Sequence, residues 1–331
     1  MKIINTTTHK TQHARDHLRV AMAQIAPVWL DRAATLQKIM ESVSLAADHG
    51  SDLVTFGEAL LPGYPFWVER TGGAKFDDAR QKAFYALYLD QGAVIERGDL
   101  EPLCQLAKER RIAIYLGIME RAPDRGGHTL YASIVYIDRD GRIGSVHRKL
   151  QPTYDERLVW GPGDGHGLRV HPLDGFTVGG LNCWENWLPL ARAALYGQGE
   201  DLHVSIWPGG LHNTQDLPLF VAREARSYVV AVSGLMRKTD IPADFPHAEE
   251  IASNSGDFLA NGASCLAAPD GSWVIEPVIG EEALLVADID HALVRQERQN
   301  LDVVGHYSRP DVTRLTVNRA RQSTVSFEDP D

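Results

Sequence analysis

The stretch Phe176-Thr177-Val178-Gly179-Gly180-Leu181-Asn182-Cys183-Trp184-Glu185-Asn186-Trp187-Leu188-Pro189-Leu190-Ala191-Arg192-Ala193-Ala194-Leu195-Tyr196 decides the reading of the chain. Phe176 to Asn182 reads as an apolar strand, and the spacing from Leu188 to Tyr196 as a helix. Leu202 to Trp207 is again apolar and strand-like. A strand, a helix and a second strand in close succession form the unit of a sheet buried on both faces. Between the first strand and the helix stands a cysteine.

The same alternation extends in both directions. Arg19 to Pro27 reads as a buried strand, followed by a helix carrying Leu36, Ile39, Met40, Val43 and Ala46 that Gly50 stops. Asp52 to Phe56 is a short strand ending at Gly57-Glu58. Helical spacing covers about Phe76 to Ile95 and Leu100 to Arg110, and a strand covers Ile112 to Met119. Tyr131 to Ile137 and Ile143 to His147 form a hairpin around Asp140-Gly141. Downstream, a helix is expected over Leu217 to Arg226, and strands over Tyr228 to Ser233, Ser264 to Ala268, Trp273 to Glu276 and Leu284 to Asp288. Pro269-Asp270-Gly271 is a turn, and a last helix spans Ala292 to Asn300. The fold class is therefore α/β. No Ser/Gly linker or internal repeat divides the chain. It reads as one domain over 19–306, with a polar arm at 1–18 and a tail at 307–331.

Composition narrows the function classes. The 331 residues carry 33 Lys+Arg against 44 Asp+Glu, a net charge of −11, with 44% hydrophobic residues and three cysteines. The apolar fraction is too high for a disordered chain. An acidic balance argues against nucleic acid as the main partner. Three cysteines cannot staple a chain of this length, which points to a reducing, cytoplasmic setting. The apolar run near Tyr228 to Met236 is far short of the roughly 18 residues of a membrane span, and 1–19 lacks the apolar core of a secretory signal.

Three segments join an abrupt strand end to a reactive side chain: Phe56-Gly57-Glu58, His147-Arg148-Lys149 with Glu156 downstream, and Asn182-Cys183-Trp184. Cys183, between strand and helix, has the setting of a nucleophile elbow. Backbone N–H groups and the positive end of the following helix are expected to lower its thiol pKa and to hold developing charge. The competing reading is a buried structural cysteine, and Cys104 and Cys265 read that way. Glu58 and Lys149 taken singly read as paired surface charges. Taken with Cys183 they supply the base, cation and nucleophile of acyl-type transfer. Among the histidines, His306 is the foremost candidate for a supporting role. No Cys-x-x-Cys or His-Glu-x-x-His pattern announces a metal, and Gly161 to Gly167 reads as a turn.

Together the segments resemble the nitrilase superfamily, whose catalytic set is Glu-Lys-Cys with a second Glu. The matches fall on Glu58, Lys149, Glu156 and Cys183, the first two separated by 91 positions and Lys149 and Cys183 by 34. The resemblance runs from about Arg19 to Thr313. Cys183-Trp184-Glu185-Asn186, Arg148-Lys149-Leu150 and Gly305-His306-Tyr307-Ser308-Arg309-Pro310-Asp311 are similar to the true nitrilase branch. Ala59-Leu60 departs from it, since Thr or Ser and a larger residue are frequent there. The resemblance implies a four-layer α-β-β-α sandwich and a homodimer or higher homo-oligomer formed through helices near the nucleophile. The short tail from Val312 argues against long filaments.

It also implies hydrolysis of an organic nitrile to the carboxylic acid and ammonia through a covalent cysteine thioimidate and thioester, with water as second substrate and no cofactor or metal. Glu156 is expected to orient Lys149 and water; its competing reading is a surface salt bridge. Tyr64, Trp184, Trp187 and Trp207 are expected pocket walls, with core packing as the alternative. An amidase or a cyanide-hydrolysing enzyme of the same superfamily needs the same residues. A non-catalytic assembly protein would need none of them.

Overall fold

The computed structural model describes residues 1–6, 16–325 and 328. Fourteen strands are present among them: β1 (Lys2–Thr6), β2 (His17–Gln24), β3 (Leu53–Phe56), β4 (Ala113–Arg121), β5 (Leu130–Ile137), β6 (Ile143–Arg148), β7 (His171–Leu173), β8 (Phe176–Asn182), β9 (Leu202–Trp207), β10 (Tyr228–Ser233), β11 (Leu235–Arg237), β12 (Phe258–Ala267), β13 (Trp273–Ile279) and β14 (Ala283–Asp290). The helices are α1 (Arg32–Asp48), α2 (Trp67–Arg70), α3 (Ala79–Gln91), α4 (Glu101–Arg110), α5 (Pro189–Tyr196), α6 (Leu211–Thr214), α7 (Leu217–Ala225), α8 (Ala248–Ser253) and α9 (His291–Arg298).

The strands form two sheets. One runs β1-β14-β2-β3-β4-β5-β6; the other runs β11-β12-β10-β9-β8-β7, with β13 on β12. Alternation along each strand sends successive side chains to opposite faces. Val20 and Met22 of β2 meet Val204, Ile206, Val230 and Val232 between the sheets. Ala21 and Ala23, one residue out of phase, face Ile39, Val43, Leu103 and Ala107 of α1 and α4. On the far side, α7 covers β10 and β12, and α5 packs on Leu181 of β8. The layers are thus α-β-β-α, as the resemblance implied. Apolar residues lie on both sides of each sheet, which is why its strands read as unbroken hydrophobic runs.

Element ends differ from expectation where capping decides them. The helix expected from Phe76 begins at Ala79, because the Asp78 side chain accepts from the N–H groups of Arg80 and Gln81 at 3.0 and 3.2 Å. It ends before Gly92, and Ile95 falls in a separate single turn. Pro189 opens α5, at the position where its missing N–H costs nothing. Within the arm expected at 1–18, Lys2–Thr6 is an edge strand pairing in parallel with Ala283–Ala287, and His17 already belongs to β2. In the tail, Arg321 bonds Asp164 at 3.1 Å, holding that segment to the turn region 161–167.

Candidate active site

Three strand ends converge at one edge of the sandwich. β3 delivers Glu58, β6 delivers Lys149, and β8, in the other sheet, delivers Cys183. Glu58 lies one residue beyond the Gly57 peptide, which packs against Gly117 of β4. A Cβ on Gly117 would stand 2.1 Å from the Gly57 carbonyl oxygen, so only glycine leaves room for that strand end. The Glu58 N–H donates to the Trp207 carbonyl at 3.1 Å, tying the glutamate to the second sheet.

Lys149 is the centre of the charge cluster. Its Nζ donates to Glu58 Oε1 at 2.8 Å and to Glu156 Oε2 at 2.6 Å. All three side chains are buried. Glu156 sits on a single 3-10 turn, Tyr154–Leu158, where Thr153 and Glu156 cap each other; its Oε2 also accepts from the Thr153 N–H at 2.6 Å. Its Oε1 accepts from the Tyr64 hydroxyl at 2.7 Å. Burial on this scale excludes the surface salt bridge as the reading of Glu156.

Cys183 adopts a left-handed backbone, φ 48°, directly after β8. That conformation costs a non-glycine residue energy and is found where the surroundings enforce it. It turns the side chain out of the strand toward the two glutamates: one side-chain atom each of Glu58, Glu156 and Cys183 lie within 4.8 Å of one another. Glu58 Oε2, the oxygen not engaged by Lys149, is buried and accepts no hydrogen bond from the described residues. Asn186 fixes the elbow from behind, donating to the carbonyls of Cys183 at 2.8 Å and Leu181 at 3.2 Å. Its Oδ1 pairs with His203, whose other ring nitrogen meets Glu200 at 2.9 Å.

The electrostatics differ from expectation in one respect. Burial, seconded by the Glu58 charge, pushes the Cys183 thiol well above its ordinary range. The expected lowering by a helix end is outweighed because Cys183–Trp187 forms only a 3-10 turn and the thiol is buried. Burial also raises Glu58, to about 7, against the opposing pull of Lys149. Burial works against the Lys149 charge, but Cys183 and the two glutamates outweigh it and hold the ammonium well above its usual range. At neutral pH the site therefore holds a thiol beside a half-ionised carboxyl and a fixed cation. That arrangement can pass a proton from sulfur to carboxylate and stabilise negative charge on a bound electrophile. The carboxylates and thiol are also oxygen and sulfur donors, but Lys149 already occupies the position between the glutamates that a cation would take.

A cavity of about 440 Å³ opens onto Cys183 and Glu156. Tyr64 and the half-exposed Trp184 line it together with Tyr154, Val68, Arg70 and Leu259. Trp187 and Trp207 do not line it. Trp187 is half-exposed elsewhere on the surface, and Trp207 is wholly buried in the cluster behind Cys183, so core packing is its role. His306 is exposed beside Tyr307, away from any support of the cysteine. Cys104 and Cys265 are buried as expected. Sequence reasoning passed over His147 and Glu185, which bond each other at 2.9 Å between the Lys149 and Cys183 segments. The signal was present as the spacing Asn182-x-x-Glu185, in which the glutamate accepts from the backbone N–H three residues earlier, as Glu156 does from Thr153.

Residues 19–299 match the family model for carbon–nitrogen hydrolases. A nitrilase 2 from an unidentified prokaryote is 36% identical over 313 residues, spanning 94% of this chain and 96% of that protein. An aliphatic nitrilase from Rhodococcus rhodochrous is 32% identical over 93% of this chain and 84% of its own. Among solved structures, a carbon–nitrogen hydrolase from Helicobacter pylori G27 superposes with a TM-score of 0.67 at 17% identity, over 89% of this chain and 96% of that one, which establishes likeness of fold.

Proposed function

Because this chain belongs to the carbon–nitrogen hydrolase family, on its nitrilase branch, we propose that it hydrolyses an organic nitrile to the carboxylic acid and ammonia, with Cys183 as nucleophile. The observation that carries the residue assignment is the buried chain Glu58–Lys149–Glu156 set against a cysteine at the opening of a cavity.

Glu58 takes the proton from Cys183 Sγ as the sulfur attacks the nitrile carbon. The new C–S bond and a proton on nitrogen give a thioimidate. Water, deprotonated by Glu58, adds to the same carbon. The nitrogen is protonated and leaves as ammonia, giving a thioester, and a second water releases the acid and restores the thiol. A Glu58 carboxyl near 7 suits both directions of this transfer at neutral pH. Lys149 and the Trp184 N–H stabilise charge on the substrate nitrogen or oxygen. Glu156, bonded by Tyr64 and Thr153, orients Lys149 and the attacking water.

No cofactor or metal enters this reaction. We further propose a single hydrolase domain over 19–306 that assembles as a cytoplasmic homo-oligomer, with the 307–331 tail at an interface. The exposed apolar Leu190 of α5 and Phe220 of α7 support an interface on the nucleophile's side of the sandwich. The buried, unpaired cysteines support the compartment.

The reading is tested by ammonia release from a panel of nitriles and their matching amides, together with intact-mass spectrometry of the enzyme during turnover. An adduct on Cys183 and turnover of nitriles are expected, both lost in Cys183→Ala with the fold retained. Rapid amide turnover with silent nitriles would overturn it in favour of an amidase.

A further inference from the structure

The acting groups stand on different sheets: Glu58 and Lys149 at ends of one, Cys183 at an end of the other. What holds the sheets face to face is mostly apolar contact, which is non-directional and does not define a separation to tenths of an ångström. Proton transfer and charge stabilisation need that definition. A directional tie between the two strand ends has to come from hydrogen bonds.

Glu185 supplies it. Its side chain is fully shielded from solvent. Oε1 accepts from the Asn182 N–H at 2.6 Å and from His147 Nε2 at 2.9 Å, and Oε2 accepts from the Leu150 N–H at 3.0 Å. Asn182 immediately precedes Cys183, and Leu150 immediately follows Lys149. One carboxylate thus grips the peptide next to the cysteine and the peptide next to the lysine, while the His147 ring anchors it to β6. Burial alone would raise the Glu185 carboxyl, but the His147 ring and the N–H donors outweigh it and hold it below its usual range, so it is an acceptor throughout.

We propose that Glu185 is a positioning residue that sets the separation between Cys183 and Lys149 across the two sheets. It touches no reacting atom and acts through the two peptides it binds. The inference rests on the assignment of Cys183 and Lys149 made above.

The test compares Glu185→Gln with the parent enzyme. The amide offers one acceptor oxygen in place of two and turns an NH2 group toward an N–H donor, so one of the two peptides is released. Two readouts separate positioning from mere loss of folded protein. In steady-state nitrile hydrolysis, kcat is expected to fall about 100-fold with KM changed less than about threefold, the scale on which misplacement of an acting group by 1 Å lowers rate.

Independently of any nitrile, the rate of Cys183 alkylation by iodoacetamide is followed against pH by peptide mass spectrometry. The midpoint of that profile is expected to move, because the thiol's distance from Lys149 and Glu58 sets it. An unfolded fraction would reduce the amount of slowly reacting enzyme without moving the midpoint. An unchanged midpoint with a kcat loss that merely tracks folded content overturns the proposal. So does an unchanged kcat. If Glu185→Gln does not fold, Glu185→Asp carries the test by the same readouts, since a carboxylate set back by one methylene cannot reach the Asn182 and Leu150 N–H groups at once. A moved midpoint supports the tie and an unmoved one refutes it. The alkylation profile reports on geometry even if nitriles prove not to be substrates, so failure of the nitrilase reading is seen separately.

Discussion

Replacing Lys149 by methionine removes one buried cation from between two buried carboxylates. At separations of 2.8 and 2.6 Å, each ion pair is worth about 6 kcal/mol of Coulomb energy at an effective dielectric constant of about 20. Desolvation offsets most of this, and the measured cost of removing one partner from a buried pair is about 3–5 kcal/mol. Methionine fills a similar volume, so little cavity energy is added. The folded variant lowers its penalty by keeping a proton on the carboxyl pair, which the unfolded chain releases above about pH 4.5.

A carboxyl that binds its proton more tightly when folded makes stability fall as pH rises, by about 1.4 kcal/mol per pH unit for each such proton. In the parent enzyme Glu58 contributes this slope only up to its value of about 7. The stability gap between parent and variant is therefore expected to reach about 3–5 kcal/mol at pH 8 and to shrink toward pH 5. Urea unfolding followed by tryptophan fluorescence at pH 5, 6.5 and 8 measures it. Lys149→Met/Glu156→Gln should narrow the gap, since one stranded carboxylate is gone. A gap below about 1 kcal/mol at pH 8, or one independent of pH, would refute the view that Lys149 balances the pair.

The base assignment predicts that kcat/KM rises with pH through about 7, because Glu58 accepts a proton only when ionised; a profile flat from pH 5.5 to 8.5 would contradict it. Tyr64→Phe removes the 2.7 Å bond to Glu156, a bond to a charged group worth about 1.5–3 kcal/mol, so kcat/KM should drop about 10- to 100-fold while circular dichroism is unchanged. Gly117→Ala places a methyl 2.1 Å from the Gly57 carbonyl oxygen; overpacking of this kind costs about 1–3 kcal/mol and should lower both the unfolding midpoint and the rate, through displacement of Glu58.

Much of the architecture was legible because both sheets are buried on both sides. Unbroken runs such as Leu202–Trp207 and Tyr228–Ser233 have no amphipathic ambiguity and match the strands observed. The short strands β1, β7 and β11 were not legible. Each has three to five residues and derives its order from its neighbours in the sheet, as Lys2–Thr6 does from β14. The extent of α3 was misjudged for a local reason: the periodicity runs through Phe76, but Asp78 caps the helix.

Local chemistry alone specified which residue types could react. Glu156 was marked by the family resemblance; a cysteine where an apolar strand breaks and a glutamate and a lysine at two other strand ends are properties of neighbouring residues. Their mutual placement is not. The 4.8 Å cluster of Glu58, Glu156 and Cys183, the burial and neighbouring charge that raise the thiol, and the division of the tryptophans into Trp184 at the cavity and Trp207 in the core depend on contacts between residues far apart in the chain. So does the grip of Glu185 on Asn182 and Leu150. Sequence determined the strand ends and their chemistry, because propensity, capping and burial pattern act over a few residues. Only the tertiary structure decided their separation and ionisation, because those arise from burial and from the field of groups that the two sheets bring together.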